Sequence, residues 1–412
     1  MRRVAITGFG VVSPIGVGAD AFFASLTRGD SGIRRITRFD VSTFEVQLAG
    51  EVKEELELPA EVAEVAAHDP KVGFAYEACR QALEQSAVVR LGQESLLHLG
   101  TSLEVFDLSK AIHGGKLDFH EVARRCLQGE GPPVQVPLDT AARLISASFG
   151  LPEQVLVNCS ACAAGAQAIG QGFRAVRSGR VDRAVCGAFD SMINPLGVGG
   201  FQLLGALTTD NARGAHACRP FDASRSGTVL GEGAAIAVLE PLEQARAQGR
   251  TILAELCGYG SSLDASSLSA PDPEGKGAER AMASALQDAG IDGAAIGHIN
   301  VHGTGTQLND EIEAMAIRRL FSATWQRIPI SATKSMTGHL IAAAGAVELG
   351  ACLLAIGRGV LPPNPCLQSV GPGCELDHVT APGRGFDGEY VLTNSFGFGG
   401  QNATLVLRRA MK

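Results

Sequence analysis

The chain has 412 residues, 45% of them hydrophobic and 19% charged, with a net charge of −8 at neutral pH. That length supports a large core and two half-domains, and the acidic balance argues against nucleic acid and anionic membrane as partners. The apolar part of Met1–Gly8 is too short for a signal peptide, and Ala342–Ile356 carries Glu348 and is too short to span a bilayer, so a cytoplasmic enzyme is expected.

Val4-Ala5-Ile6-Thr7 predicts a first strand. Gly8-Phe9-Gly10 follows it and invites a dinucleotide-binding reading, but Ser13 stands where the third glycine of that fingerprint belongs. A structural turn is the expectation. Val155-Leu156-Val157 then runs through Asn158-Cys159-Ser160-Ala161-Cys162 into a small-residue helical pattern. A cysteine at such a strand-to-helix turn lies near the positive end of the helix, which favours the thiolate. The alternative is a buried, inert cysteine among the ten scattered along the chain. Cys159 and Cys162 form a CxxC, but there is no second CxxC and no histidine at zinc-finger spacing, which argues against a metal.

Ala184–Ala188 and Ala234–Leu239 predict further strands, apolar throughout as in strands covered on both faces. Ala163, Ala164, Gly165, Ala166, Gly170, Ala175 and Gly179 recur at one constant offset as Ala343, Ala344, Gly345, Ala346, Gly350, Ala355 and Gly359. The recurrence predicts a duplicated α/β unit, with halves at residues 1–251 and 252–412 and the two small-residue helices packed together at the centre. His302-Gly303-Thr304-Gly305-Thr306 follows the strand-like Ile299-Asn300-Val301. It suits either a ligand-facing imidazole with two hydroxyls or a histidine satisfied within its turn. Lys334 and His339 lie just before the second repeat helix, and Asp310 or Glu313 is the expected acidic partner of a buried Lys334. Asn394–Gly400 is a glycine-rich turn between the strand-like runs Tyr390–Leu392 and Ala403–Leu407, able to offer free N–H groups.

Together with Pro195–Phe201, Arg219-Pro220-Phe221-Asp222 and Gly231-Glu232-Gly233-Ala234, these segments resemble the β-ketoacyl-acyl carrier protein synthases, the elongating, synthase II-like ketosynthases of the thiolase superfamily, from Val4 to about Arg408. The resemblance implies a thiolase-like α/β fold of two duplicated halves in five layers. It implies Cys162 as nucleophile and His302 and His339 as neutral donors to the malonyl thioester carbonyl. Lys334 and Glu313 match the family's supporting charged pair. The backbone N–H groups of Cys162 and Phe398 match its oxyanion hole, with Phe398 as gate, and Thr304 and Thr306 match positions touching the pantetheine arm. Leu103 and Glu104 fall in the family's acyl-pocket segment. The implied reaction is decarboxylative condensation with malonyl-acyl carrier protein, in fatty-acid or polyketide synthesis. It needs no dissociable cofactor, phosphopantetheine being borne by the carrier, and a dimer is implied, either of like chains or with a related subunit. A degradative thiolase and a non-catalytic length-setting subunit are the competing readings; the two histidines favour condensation.

The sequence departs from the family in three places. Residues 54–70 carry no lysine or arginine where housekeeping members have a basic run that docks the acidic carrier, and a further docking base of the family is replaced around Asp210. Gly100-Thr101-Ser102-Leu103-Glu104-Val105 puts bulk and charge at the chain-length end of the pocket. Arg225-Ser226-Gly227 replaces Arg-Asp-Gly, a change expected to be minor. The first two suggest a specialised polyketide or polyene ketosynthase that either takes its docking charge from a partner subunit in a heterodimer or uses an unusual carrier.

Overall fold

A computed structural model describes residues 1–104, 112–113, 116–128, 136–150, 152 and 154–410. The first half contributes β1 (Val4–Ser13), α1 (Pro70–Gln85), β2 (Ser95–Gly100), β3 (Gln154–Asn158), α2 (Ala164–Ser178), β4 (Arg183–Ser191) and β5 (Leu230–Pro241). The second contributes β6 (Ala254–Leu263), α3 (Lys276–Ala289), β7 (Ile296–Asn300), α4 (Gln307–Leu320), β8 (Pro329–Ser331), α5 (Ala344–Arg358), β9 (Tyr390–Gly397) and β10 (Gln401–Arg408). In the first half β2 runs parallel to β3 and β4, while β4–β5 and β5–β1 are antiparallel. The second half repeats the pattern with β7 parallel to β8 and β9, and β9–β10 and β10–β6 antiparallel. The halves join edge to edge where Val4, Ala5 and Ile6 of β1 face Leu256, Glu255 and Ala254 of β6.

Helix α1 covers β1 and β5 from outside, α3 covers β6 and β10, and α2 and α5 lie between the two sheet halves. The resulting helix–sheet–helix–sheet–helix stack is the expected five-layer arrangement. Strands β1, β4 and β5 are buried almost throughout, as their unbroken apolar character required. Edge strand β3 is different: Val155 and Leu156 stay 40% and 42% exposed.

The Gly8-Phe9-Gly10 segment is not a turn. It lies inside β1, just after a bulge, where a Cβ on Gly8 or Gly10 would strike the carbonyl oxygens of Ala82 and Ala78 of α1 at 2.1 and 1.9 Å. Gly258 and Gly260 do the same in β6 against Ala285 and Ala281 of α3. These glycines let a helix lie directly on a strand. The Ile341–Arg358 helical segment is long and apolar enough to cross a membrane, but 89% of it is buried inside the protein as the central helix of the second half.

Candidate active site

Cys162 sits in a short 3-10 turn, Ala161–Ala163, immediately before α2. Ala161 has φ of +48°, a left-handed conformation that alanine rarely adopts. The kink turns the chain sharply from β3 into the helix. The second half repeats it: Ile341, φ +47°, opens a 3-10 turn before α5. Gly165 and Gly345 let the two helix starts cross, since a Cβ on either would lie 2.9 to 3.2 Å from the backbone nitrogen of Ala346 or Ala166. An extra helical turn, Lys334–Thr337, is inserted before the second 3-10 turn and brings Lys334 into the centre.

His339 is clamped by its own backbone, its N–H donating to Val229 O and its carbonyl accepting from Gly231 N–H. Its Nε2 lies 3.1 Å from Cys162 Sγ, and its Nδ1 accepts from the backbone N–H of Ile341. The ring proton therefore resides on Nε2, facing the sulfur. His302 comes from the loop after β7. Lys334 Nζ approaches its Nδ1 at 3.2 Å and also donates to its carbonyl oxygen. An ammonium only donates, so Nδ1 of His302 accepts and Nε2 carries the proton. Burial first, and the Lys334 charge second, hold both imidazoles well below the usual histidine range. Both imidazoles are held neutral, with the ring proton on Nε2.

Lys334 pairs with Glu348 of α5 at 2.5 Å, not with Glu313 or Asp310. That carboxylate is the single charge in the apolar Ala342–Ile356 stretch. Glu313 instead accepts from the backbone N–H groups of His302 and Gly303 and from Asn394 Nδ2. Asp310, one turn earlier on α4, accepts from the N–H groups of Thr304, Gly305 and Phe221. The two acidic residues thus fix the His302–Gly305 loop, so Glu313 positions His302 from behind. Burial pushes Glu313 up to about 7 despite these hydrogen bonds.

The thiol of Cys162 is pushed up to about 11 by burial, against the pull of the Phe398 N–H and the Lys334 charge. The helix start lowers the cost of ionising the thiol during attack, but desolvation outweighs it at rest. Gly397 and Phe398 close over the sulfur, with the ring of Phe398 6.1 Å from that of Phe201. Asp190, unnoticed in the sequence, accepts from the N–H of Ala342 at 2.9 Å.

Cys162, His302, His339, Thr304, Thr306 and Phe398 all line one cavity of about 590 Å³. The hydroxyls of Thr304 and Thr306 lie 2.9 Å apart within it. Ser226 also lines it and bonds to Thr208 Oγ1 at 2.7 Å, so the Arg225-Ser226-Gly227 change reaches the cavity wall. Leu103 and Glu104 do not line it. Leu103 is 62% exposed, because the chain leaves β2 at Gly100 and runs outward; Val105 lies outside the described residues.

The sulfur and a ring nitrogen from each histidine lie within 4.8 Å of one another, a donor set with zinc chemistry. A dication there would face the Lys334 ammonium 3.2 Å from His302, and the second nitrogen of His339 is already engaged. The set suits carbonyl oxygen better than metal. Cys159 and Cys162 are both free thiols.

Residues 1–245 match the N-terminal domain and residues 253–368 the C-terminal domain of the beta-ketoacyl synthase family. A 3-oxoacyl-[acyl-carrier-protein] synthase 2 from Coxiella burnetii is 38% identical, over 99% of both chains. The solved ishigamide ketosynthase/chain length factor is 34% identical over all of both chains, with a TM-score of 0.85. A type II polyketide ketosynthase, solved with its acyl-carrier protein and bound to the hexaketide, is 30% identical over 99% of this chain and all of that one, with a TM-score of 0.84. The chain belongs to the β-ketoacyl synthase family.

Proposed function

We propose that the chain joins an acyl group held on Cys162 to a malonyl unit delivered by an acyl carrier protein. The observation that carries this is the pair of neutral, Nε2-protonated imidazoles beside a buried cysteine at a helix start. The sulfur attacks the acyl thioester carbonyl, the carrier thiol leaves, and the acyl group passes to Cys162. The Nε2–H groups of His302 and His339 then hold the malonyl thioester oxygen. As the bond to the carboxylate breaks, its electron pair enters an enolate stabilised by those two donors, and carbon dioxide departs. The enolate carbon attacks the acyl-Cys162 carbonyl, whose oxygen is met by the backbone N–H groups of Cys162 and Phe398. Collapse expels the sulfur and releases a β-ketoacyl chain two carbons longer.

No dissociable cofactor enters these steps. The phosphopantetheine arm of the carrier runs past Thr304 and Thr306, and Phe398 gates the acyl side. Residues 1–251 supply the nucleophile and 252–412 the two histidines, and the enzyme works in the cytoplasm as a dimer. A specialised role beside a length-setting partner subunit is the second reading. The exposed acidic run Glu54, Glu55, Glu57, Glu61 and Glu64 favours it, since such a surface repels an acidic carrier. Intact-protein mass spectrometry with acyl-carrier thioesters tests the reaction. An acyl adduct lost in Cys162→Ala, with malonyl decarboxylation lost in His302→Ala, is expected; absence of both in the unaltered protein overturns it.

A further inference from the structure

The mouth of the Cys162 cavity is ringed by exposed leucines. Leu204 and Leu308 line it directly and are each 58% exposed. Leu203 precedes Leu204 at the end of the Pro195–Leu203 helix and is 91% exposed. Leu268, 88% exposed, accepts from Gly399 N–H beside Phe398 and leads into Ser269-Ala270-Pro271 of the cavity wall. An apolar rim of this kind marks a contact surface. Arg225 is the one lysine or arginine among the described lining residues, and it is already engaged by Glu311 and Asp310. The described mouth therefore offers leucines, not free cations, to whatever approaches.

Cys162 is only 2% exposed, and this cavity is its route to solvent among the described residues. A partner bound permanently over the rim would seal that route. The occupant must arrive, deliver its thioester and leave. We propose that Leu203, Leu204, Leu268 and Leu308 form the docking surface for the acyl carrier protein, recognising an apolar patch around the base of its arm rather than its acidic charge. This rests on the condensing reading and specifies how its substrate is recognised.

The test compares carrier-borne malonyl thioester with the free malonyl-pantetheine thioester, which has the arm but no protein. For Leu203→Ser/Leu268→Ser, both outside the cavity lining, the expected result is a KM for the carrier-borne substrate raised about tenfold or more, with kcat retained and the free thioester unaffected. Val89→Ser, at a 93% exposed position remote in sequence from every lining residue, should change neither. The carrier KM of the unaltered enzyme should shift less than about threefold between about 50 and about 300 mM salt. An unchanged carrier KM in the double variant, equal loss with both substrates, a steep salt dependence or a changed subunit assembly would each overturn the proposal. Failure of the unaltered enzyme to be acylated by free acyl-pantetheine thioester would instead remove the condensing reading beneath it.

Discussion

The two halves share one scaffold and divide the chemistry at a single pair of turns. The repeat offset that matches Gly165 with Gly345 also matches Cys162 with Ala342 and Cys159 with His339. Each turn has a left-handed residue just before the matched Cys162/Ala342 position, and each leads into a helix ending at a left-handed glycine, Gly179 or Gly359. What differs is the strand facing each turn. The ladder registers align Ala188 with Ser395 through Ala235 and Ala403, and so align Asp190 with Gly397. Asp190 caps the Ala342 N–H of the second turn. Gly397 faces the equivalent N–H of Cys162, where even a Cβ would come within 3.0 Å. One turn has its helix-start donor consumed by a carboxylate; the other has it left open over the sulfur. The duplication built two like turns, and a carboxylate stands at one where a glycine stands at the other.

Gly397→Asp breaks that asymmetry most directly. Gly397 has φ of −129° and ψ of 162°, extended values open to any residue, so the backbone does not demand glycine here. The carboxylate would compete for the Cys162 N–H and put negative charge where the oxyanion develops. Removing one such donor costs about a hundred- to a thousandfold in kcat, so a loss of about a thousandfold or more is expected. Gly397→Ala should lose less, through crowding alone. Steady-state condensation assays, with circular dichroism to establish folding, check both; equal activity in Gly397→Asp and the unaltered enzyme would remove the role assigned to this N–H.

The second half rests on a buried charge that the first lacks. Lys334 enters on the inserted turn and is neutralised by Glu348. Breaking such a pair from one side costs about 3–5 kcal/mol, because the remaining charge is left buried. Glu348→Ala is therefore expected to lower unfolding free energy by about that amount, measured by urea denaturation. It should also divide the two half-reactions. Acylation of Cys162 should survive, since its donors come from the first turn and the Phe398 loop. Malonyl decarboxylation should fall, because Lys334 without Glu348 is no longer anchored against Nδ1 of His302. Loss of both half-reactions to the same degree would show that Lys334 serves the whole site.

The duplication, the strand runs and the triad of Cys162, His302 and His339 were legible because each depends on a local pattern: apolar periodicity, glycine spacing, or a histidine next to small residues. The partner of Lys334 was not, because Glu313 is closer to His302 in sequence while Glu348 is brought in by the crossing of α5. The Gly8-Phe9-Gly10 segment was misjudged for a similar reason. Its glycines answer to α1, some 70 residues away in the chain, and no local pattern records that contact. The burial of Cys162 was not legible either, because both halves together set it, and it opposes the field of its own helix.

The scaffold itself supplies the finest comparison. Gly170 and Gly350 are repeat partners on α2 and α5, each beneath an aromatic residue of the paired strands β6 and β1. A Cβ on Gly170 would come to 2.3 Å from the ring of Tyr259, and one on Gly350 to 2.8 Å from Phe9 and Phe22. The Arg174 guanidinium, one turn along α2 from Gly170, lies 4.7 Å from the Tyr259 ring centre. At Gly350 the clash is shallower and shared between two rings. Overpacking typically costs about 1–3 kcal/mol. Gly170→Ala should fall at the upper end and Gly350→Ala at the lower, read as the difference between their urea midpoints. Equal costs would mean that the halves tolerate crowding alike, and that their asymmetry is confined to the chemistry around Cys162.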